Sequence, residues 1–553
     1  MKKFIYGIFP LLGILASCNS FLDMTPSDSI SDKVMWSTTE NAEYAVNSIY
    51  SYSYDIYANW PSAVGMTEAF TDEFKYGSYV NFAYCLIPSQ VAYGGTTLTN
   101  SFVSVYLGCW ETLYTAIRRT NEAISNLKTI GTGLPEEDRT RLEGELRLMR
   151  GWLYFELVKR YKDVIIYDED LTQIAVNKAL STEAAGWAFI WEDLSYAAGV
   201  LPEKSAARGR LDKGVALTLI TRAMLYAGEY DKVVAAADEM KSLGYALMTN
   251  YADVFTTPIQ SGNTESVLQY SFSYSDNVTH DFDYYYTPGG DYKLVGQQGG
   301  GYGTPTQEMV ESYELAAGGF PDWSPWHGST TEEPPYALLE PRFQASILYN
   351  GASWKGRIIE PYVGGTDGWC TWNKEPQPQG RTTTGYYLRK GVDESHDLLQ
   401  QSQSTQHFVL LRYGEVLLNK AEACYRKGDA GEANAAVREI RSRAGLPYSD
   451  KSGEALWQAI RQERRVELAF EGLWYWDLRR WGDAAADWPV GLNNYQVHGL
   501  KIEPSAVEGQ YLYTYVSVDD KDRNFPQKML HRFPIPDSEL NSNALVEQYP
   551  EWN

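Results

Sequence analysis

The chain has 553 residues, a formal net charge of −23 and a pI near 4.8. This length permits a substantial core, and the acidity argues against nucleic-acid binding and against electrostatic docking on an anionic membrane surface. Five cysteines without a CxxC pair are too few and too scattered for a disulfide framework or a zinc site, although one disulfide stays open in an exported protein. The 17 Trp and 42 Tyr against 18 Phe suit wet binding surfaces as well as cores.

Residues 1–17 have the order of a signal peptide: two lysines, an apolar run of about a dozen residues up to Leu15, and then two small residues. The sequence Leu15-Ala16-Ser17-Cys18 is similar to a bacterial lipobox, in which the cysteine thiol is acylated. The alternative is an ordinary signal peptide with an incidental cysteine. We expect lipidation at Cys18, a tether over 18–40 and a single folded domain over 41–553, because no other apolar run approaches transmembrane length.

Helical periodicity recurs along this domain. Apolar residues follow helical spacing in WETLYTAIRRTNEAISNL (110–127) and in RLEGELRLMRGWLYFELVKRYKD (141–163). Two longer segments, 214–240 and 413–445, each consist of a helical pattern, a glycine and a second helical pattern with small alanines. This arrangement is typical of the antiparallel helix pairs of tetratricopeptide repeats. We therefore predict a helical scaffold, mainly over 41–60, 105–245 and 405–482, in which eight of the 17 tryptophans are packing residues.

The rest of the domain is rich in Gly, Pro, Tyr and Trp and has no helical period. It comprises residues 61–104 and 246–404, which we call the cap, followed by a C-terminal segment over 483–553. An irregular insertion of this length is too long for a mere connection, and such segments usually carry function. The glycine run at 297–303 lacks the lysine and the following helix of a phosphate-binding loop, so we expect a mobile or tightly turned loop there.

Ten blocks, in order, resemble the SusD/RagB-like outer-membrane glycan-binding lipoproteins of Bacteroidetes. They include CNSFLDMTP, WETLYTAIRRTNEAI, ELRLMRGWLYFELVKRYKDV, TTTGYYLRK, LLRYGEVLLNKAEACYRKGD, RQERRVELAFEGLWYWDLRRWG, RFPIPDSELNSN and QYPEWN. The sequence departs from the family pattern at Leu473-Trp474, where His-Arg is common, and in its loose C-terminal block. Both departures fall at scaffold positions.

The resemblance implies a mostly α fold with about four tetratricopeptide-type helix pairs and a mixed, aromatic-rich cap. It also implies a lipid anchor in the outer membrane, a cell-surface orientation and a SusC-like TonB-dependent transporter as partner. Members of the family capture oligosaccharides and present them for import. The loops hold no dense Lys/Arg cluster, which favours a neutral glycan over a sulfated or uronic one.

A neutral-glycan site requires exposed aromatic rings, on which sugar rings stack, beside polar side chains that bond the hydroxyl groups. The cap offers such residues in three places, and a largely buried ring is the alternative for each. The predicted ligand-binding residues are Tyr76, Tyr79, Asn81, Tyr84, Tyr285, Tyr286, Asp291, Tyr292, Tyr302, Trp323, Trp326, Trp369 and Trp372.

No catalytic residue emerges from the sequence. Glu463, Glu467 and Glu471 recur every four residues beside Arg464 and Arg465, a spacing that favours an ion-pair network with i,i+4 pairs along one helix. Glycosidases instead need two carboxylates opposed across a cleft. A nucleophile elbow, a P-loop and an HExxH helix are all absent from the sequence, and the six histidines are scattered.

These observations predict a non-catalytic glycan-binding protein without a cofactor and without a metal site. The acid content is compatible with a structural calcium ion, but no DxDxDG loop marks one. Two alternatives stay open: a surface carbohydrate-active enzyme, and a lid for another nutrient such as peptides. The sequence does not identify the glycan or its linkage.

Overall fold

The computed structural model of the protein describes residues 32–53, 67–77, 107–173, 176–205, 209–294, 299–372, 374, 380–398, 403–482, 493–524 and 531–552. Helices of eight or more residues supply the scaffold, and the shorter ones lie mostly in the cap. The helices are α1 Asp32–Met35, α2 Thr39–Ser53, α3 Trp110–Thr129, α4 Glu136–Tyr161, α5 Glu183–Val200, α6 Lys213–Ala227, α7 Tyr230–Ser242, α8 Asp253–Thr256, α9 Phe282–Tyr286, α10 Gly289–Leu294, α11 Gln307–Val310, α12 Pro341–Ser346, α13 Tyr413–Lys427, α14 Ala430–Arg443, α15 Gly453–Glu467, α16 Trp474–Gly482 and α17 Asp537–Ser542.

The strands are short and form small antiparallel sheets. They are β1 Phe74–Tyr76, β2 Ser266–Tyr270, β3 Gly303–Pro305, β4 Ser329–Thr330, β5 Ile347–Leu348, β6 Ser353–Trp354, β7 Arg357–Ile358, β8 Tyr387–Leu388, β9 Phe408–Arg412, β10 Asn493–Tyr495, β11 His498–Pro504, β12 Tyr511–Ser517 and β13 Arg523–Asn524. The pairs are β1–β3, β2–β9, β5–β8, β6–β7 and β10–β13, and β12 lies between β11 and β4.

Consecutive scaffold helices pack side by side from α3 to α7, and α13 joins them by packing against α7, α14 and α15. Small residues permit this close approach: a side chain added at Gly151 of α4 would lie 3.0 Å from Leu194 of α5. The predicted pair over 413–445 is observed as α13 and α14, which are separated at Gly428, a left-handed residue with φ of 83°. The mostly α fold with a tetratricopeptide-like scaffold is therefore confirmed.

The protein has two principal apolar cores among its described residues. The larger one lies between the scaffold helices and contains Trp110, Trp152 and Trp476, in agreement with the packing role predicted for the helical tryptophans. The second lies in the cap and consists largely of aromatic rings, including Phe74, Tyr286 and Trp354. Aromatic side chains bury large areas, so they stabilise a region that has little regular secondary structure.

A buried ion-pair cluster joins scaffold and cap, and it confirms the predicted network around the repeated glutamates. Glu467 accepts hydrogen bonds from Arg342, Arg412 and Arg443. Glu463 pairs with Arg342 and Arg441, and Glu471 pairs with Arg412 and Lys390. The prediction of i,i+4 ion pairs within this helix is wrong, because the cations that pair with the three glutamates come from other segments of the chain. Arg464 instead binds Asp477, and Arg465 binds Asp72.

Cys109, Cys370 and Cys424 are buried, Cys370 and Cys424 are free thiols, and Cys85 lies outside the described residues. Burial raises the pKa of the Cys370 thiol to about 12 and that of Cys424 to about 11. Both thiols are thus protonated and unreactive at neutral pH. Within the part of the chain that the structure describes, no helix has the length and apolar character needed to cross a membrane.

Candidate functional site

Four backbone segments of the cap meet at Gly380. A Cβ atom at Gly289, where α10 begins, would lie 1.9 Å from the carbonyl oxygen of Gly380. A Cβ atom at Gly380 would lie 1.9 Å from the carbonyl oxygen of Gly299. A side chain at Gly77, just after β1, would in turn collide with the carbonyl oxygens of Gly301 and Arg381. Backbones can approach this closely only without Cβ atoms. The segments around Tyr76, over 285–294 and over 299–302 therefore meet in one place, next to Thr382, which bridges to Trp369. Of the glycine run, Gly300 and Gly301 have left-handed φ values of 74° and 69°.

Tyrosine rings surround this junction. The Tyr285 and Tyr302 rings lie 4.8 Å apart, between centroids, with planes inclined by 35°. The Tyr284 ring meets that of Tyr292 edge to face at 5.0 Å, and Tyr76 contacts Tyr302 at 6.3 Å. Tyr284 and Tyr285 are half-buried, whereas Tyr76, Tyr292 and Tyr302 are buried. Tyr284 and Tyr285 are thus the members of this cluster that present ring surface to solvent.

Tyr286 packs inward, away from the exposed rings. It is fully buried and stacks on Phe282 with centroids 4.3 Å apart and planes inclined by 19°. In this structure Tyr286, like Tyr76, Tyr292 and Tyr302, is buried and packs against neighbouring rings. Their buried position favours the alternative of a packed ring that the sequence left open.

Asp291 is engaged within the protein. Its carboxylate lies 2.6 Å from Arg357 Nη2 and accepts hydrogen bonds from the Trp354 indole at 3.0 Å and the Thr287 hydroxyl at 2.6 Å. Arg357 also binds Asp367 at 2.7 Å, and Asp367 accepts the Gly290 N–H at 3.0 Å. Burial opposes the charge on Arg357, but these two carboxylates outweigh it and raise the guanidinium pKa. The network clamps α10 onto the 357–367 loop and leaves Asp291 few free lone pairs for a ligand.

Trp369 and Trp372 follow this loop. Trp369 is half-buried, bridges to Thr382 next to the junction, and its indole N–H has no hydrogen-bond partner among the described residues. Trp372 is buried with Lys75 Nζ 4.6 Å from its ring centroid. Lys75 forms a 2.6 Å ion pair with Asp519, and burial nevertheless lowers the lysine pKa. Trp369 therefore offers part of its ring surface to solvent while its indole N–H is buried, whereas Trp372 is a packing residue.

Trp323 and Trp326 lie elsewhere in the cap. Their rings meet edge to face at 5.6 Å beside β4 and β12, and the Trp326 indole donates to the Glu332 carbonyl at 3.0 Å. Both are less than a tenth exposed, and no ring contact joins them to the tyrosine cluster in the described part of the chain. Tyr79, Asn81, Tyr84 and Cys18 lie outside the described residues, so their predicted roles stay predictions.

Sequence reasoning missed one aromatic pair. Tyr362 and Tyr511 have ring centroids 4.9 Å apart and planes inclined by 34°, and both are half-buried. Burial and the nearby Glu360 carboxylate raise the Tyr362 pKa to about 12, so the hydroxyl is protonated at neutral pH. Tyr511 follows the β11–β12 turn, far from the cap in sequence, and only the alternation of tyrosines in YLYTYVS signals a surface strand there.

Two cavities lie away from these rings. One of about 600 Å³ is bordered by Phe255, Gln344, Lys390, Asp393 and Gln406, and one of about 510 Å³ by Tyr50, Trp152, Tyr270 and Phe272. None of the predicted ligand-binding residues that the structure describes lines either cavity. The candidate site consists of Tyr284, Tyr285 and Trp369, the half-buried aromatic residues around the Gly380 junction.

Comparison with known proteins identifies a chain with this helical scaffold and aromatic cap as SusD-like. The model of the family described as "SusD family" matches residues 264–552, and a second, described as "Starch-binding associating with outer membrane", matches residues 20–225. The chain belongs to the SusD family. The second description points to association with the outer membrane.

Individual relatives agree with this assignment. A SusD-like protein of Bacteroides ovatus is 24% identical over 526 residues, which cover 91% of this chain and 87% of the relative. The crystal structure of a SusD-like protein from Bacteroides fragilis superposes with a TM-score of 0.78 at 25% identity, covering 95% of this chain and all of that one. A laminarin-binding SusD-like protein shares the fold with a TM-score of 0.64 at 21% identity, covering 92% of this chain and 99% of that one.

Proposed function

We propose that the protein is a non-catalytic glycan-binding lipoprotein of the cell surface. It is anchored in the outer membrane through Cys18, binds an oligosaccharide or polysaccharide on its cap, and delivers it to a SusC-like TonB-dependent transporter. Membership of the SusD family supports the carbohydrate-binding role. The neutral character of the ligand rests on the scarcity of cations in the loops.

The half-buried rings of Tyr284, Tyr285 and Trp369 carry the proposal for the binding surface. An apolar sugar face stacks on an aromatic ring that is held rigidly and still meets solvent, and these rings meet both conditions. Fully packed rings such as Tyr286 lack the required exposure.

A panel of neutral and charged polysaccharides, screened by affinity electrophoresis, tests this function. We expect retarded migration with at least one neutral glycan, and weaker retardation of the Tyr285→Ala and Trp369→Ala variants. Loss of a sugar–aromatic stack costs about 1 kcal/mol or more, which is roughly a five-fold loss of affinity. Tyr44→Ala is the matched control, because Tyr44 is 60% exposed on scaffold helix α2.

A reducing-sugar assay on the same glycans separates binding from catalysis. Product formation that is abolished by substitution of one carboxylate would overturn the non-catalytic proposal. Undiminished retardation of both aromatic variants would overturn the proposed surface and leave glycan binding itself intact. The anchor is tested with Cys18→Ala, which should release the protein from the membrane fraction and prevent its co-purification with a TonB-dependent transporter.

A further inference from the structure

Three potential metal ligands converge at the side of helix α9. They are Asp283 of α9 and, from the segment after β8, Asp393 and His396; one ligand atom from each lies within 4.8 Å of the others. The Asp283 and His396 side chains are 1% and 4% exposed. Asp393 is half-buried and borders the 600 Å³ cavity. The group is therefore buried on one side and accessible on the other.

One carboxylate oxygen of Asp283 lacks the donor that burial normally demands. Its Oδ1 accepts the Asp393 N–H at 2.9 Å. Its Oδ2 lies 3.2 Å from His396 Nδ1, within ion-pair distance, but accepts no hydrogen bond from the described residues. A buried carboxylate oxygen without a hydrogen-bond donor is costly, and a bound cation would offset that cost while His396 stays neutral.

The spacing of these atoms suits a small divalent cation. Oxygen and nitrogen ligands lie about 2.0–2.1 Å from zinc, so two ligands of a tetrahedral site are about 3.3 Å apart. The 3.2 Å between Asp283 Oδ2 and His396 Nδ1 matches that separation. The ligand type points the same way, because imidazole favours zinc and its neighbours in the transition series, whereas calcium prefers oxygen ligands alone.

The surrounding contacts hold two of the ligands in place. Asp393 Oδ1 accepts hydrogen bonds from the Ser395 N–H at 2.8 Å and the Ser395 hydroxyl at 2.6 Å. Lys355 Nζ donates to the His396 carbonyl at 2.9 Å. Such outer contacts orient the ligands of metal sites. Nearby His280 is excluded as a ligand, since one ring nitrogen accepts the Phe282 N–H and the other bonds the Gln406 carbonyl.

We propose that Asp283, Asp393 and His396 bind one divalent transition metal ion, zinc by ligand class, with water from the cavity in the fourth position. The ion ties the 393–396 segment to α9, the helix that carries Tyr284 and Tyr285. It thereby rigidifies the support of the candidate glycan surface without taking part in glycan contact. This site does not depend on the proposed function.

Zinc titration of the purified mature chain, stripped with a chelator and dialysed, tests the site. Isothermal titration should show one equivalent of bound zinc, and thermal unfolding should shift upward by several degrees at saturation. Cobalt substitution should give the visible absorption of a four-coordinate site. Asp283→Asn and His396→Gln should weaken zinc binding at least about ten-fold while the circular dichroism spectrum stays unchanged.

His327→Gln is the matched control, because this histidine is exposed and pairs with Glu311 outside the cluster. It should keep wild-type zinc affinity. Three results would each overturn the proposal: a folded wild-type chain that binds no stoichiometric zinc, zinc binding that both cluster variants retain, or protection by calcium with none by zinc. The wild-type stoichiometry and the cobalt spectrum keep the test decisive even where a variant fails to fold.

Discussion

Glu467 lies among three guanidinium groups, and its side chain has no solvent exposure. Burial opposes its ionisation, but Arg443, Arg412 and Arg342 outweigh that effect and hold its pKa well below the usual range. Removal of one member of a buried ion pair leaves uncompensated charge inside the protein. The residue therefore stabilises the join between scaffold and cap.

Glu467→Gln is expected to lower the free energy of unfolding by about 3–5 kcal/mol, since three cations lose their shared counterion. Urea denaturation followed by tryptophan fluorescence measures the change. Glu454→Gln, at an exposed position in the first turn of the same helix, should change stability by less than about 0.5 kcal/mol. Equal effects of the two substitutions would contradict the role assigned to the cluster.

Glu169 gives the protein a defined acid dependence. Burial raises its pKa, but hydrogen bonds and charge from Arg150 and Lys128 lower it to about 2. An unfolded glutamate has a pKa of about 4.3, so the unfolded state binds more protons between these values and stability falls with falling pH. The stability difference between wild type and Glu169→Gln should be complete above about pH 5 and vanish near pH 2. A difference that persists unchanged at pH 2 would contradict this.

At the same scale, the sequence predicts which residue types would bind a glycan but not which of these residues reach solvent. Tyr284, Tyr285 and Tyr286 are consecutive, yet the first two are half-buried and the third is fully buried against Phe282. A short helical turn sends neighbouring side chains in different directions, and no periodicity in an irregular cap predicts which one faces the core. The sequence does not indicate that Tyr511 belongs to an aromatic pair, because its partner Tyr362 is distant in sequence.

At the scale of elements, helices α14 and α15 differ in the capping residue that precedes each of them. The Asp429 carboxylate caps α14 by accepting the Glu432 N–H at 3.1 Å, whereas the Ser452 side chain makes no capping bond to α15. Asp429→Ala should therefore cost about 1 kcal/mol and Ser452→Ala a few tenths at most. Chemical denaturation of both variants measures this, and a larger loss from Ser452→Ala would contradict the assignment.

The scaffold helices were predictable because their signal is local. Apolar spacing, the acidic start of α4 and Gly428 between α13 and α14 each act within a few residues. The repeated glutamates Glu463, Glu467 and Glu471 show the limit of prediction from local spacing. Their spacing places Glu463 and Glu467 on one helix, but the opposing arginines come from α12, α14 and the end of β9. Local spacing does not reveal which distant segments face a helix.

At the scale of the whole molecule, the net charge of −23 has a consequence for ligand binding. A neutral glycan feels no long-range attraction or repulsion from this charge, so salt screening changes nothing in its binding. Affinity for the retarding glycan should stay within about two-fold between about 50 and 500 mM sodium chloride. Affinity electrophoresis or calorimetry at both salt concentrations measures it. A ten-fold fall would indicate a charged ligand and contradict the neutral assignment.

The ion-pair cluster around Arg412 also bears on how fast the chain reaches its native state. Arg412 meets Glu265, which precedes it by 147 residues, and Glu467, which follows it by 55. Contacts between residues so distant in sequence require the closure of long loops, which costs chain entropy before the contact energy is gained. This cost slows folding and favours intermediates. We expect the helical pairs, whose contacts are local, to form before the segments around Arg412 come together. In that interval the aromatic residues of the cap would be exposed, which favours aggregation.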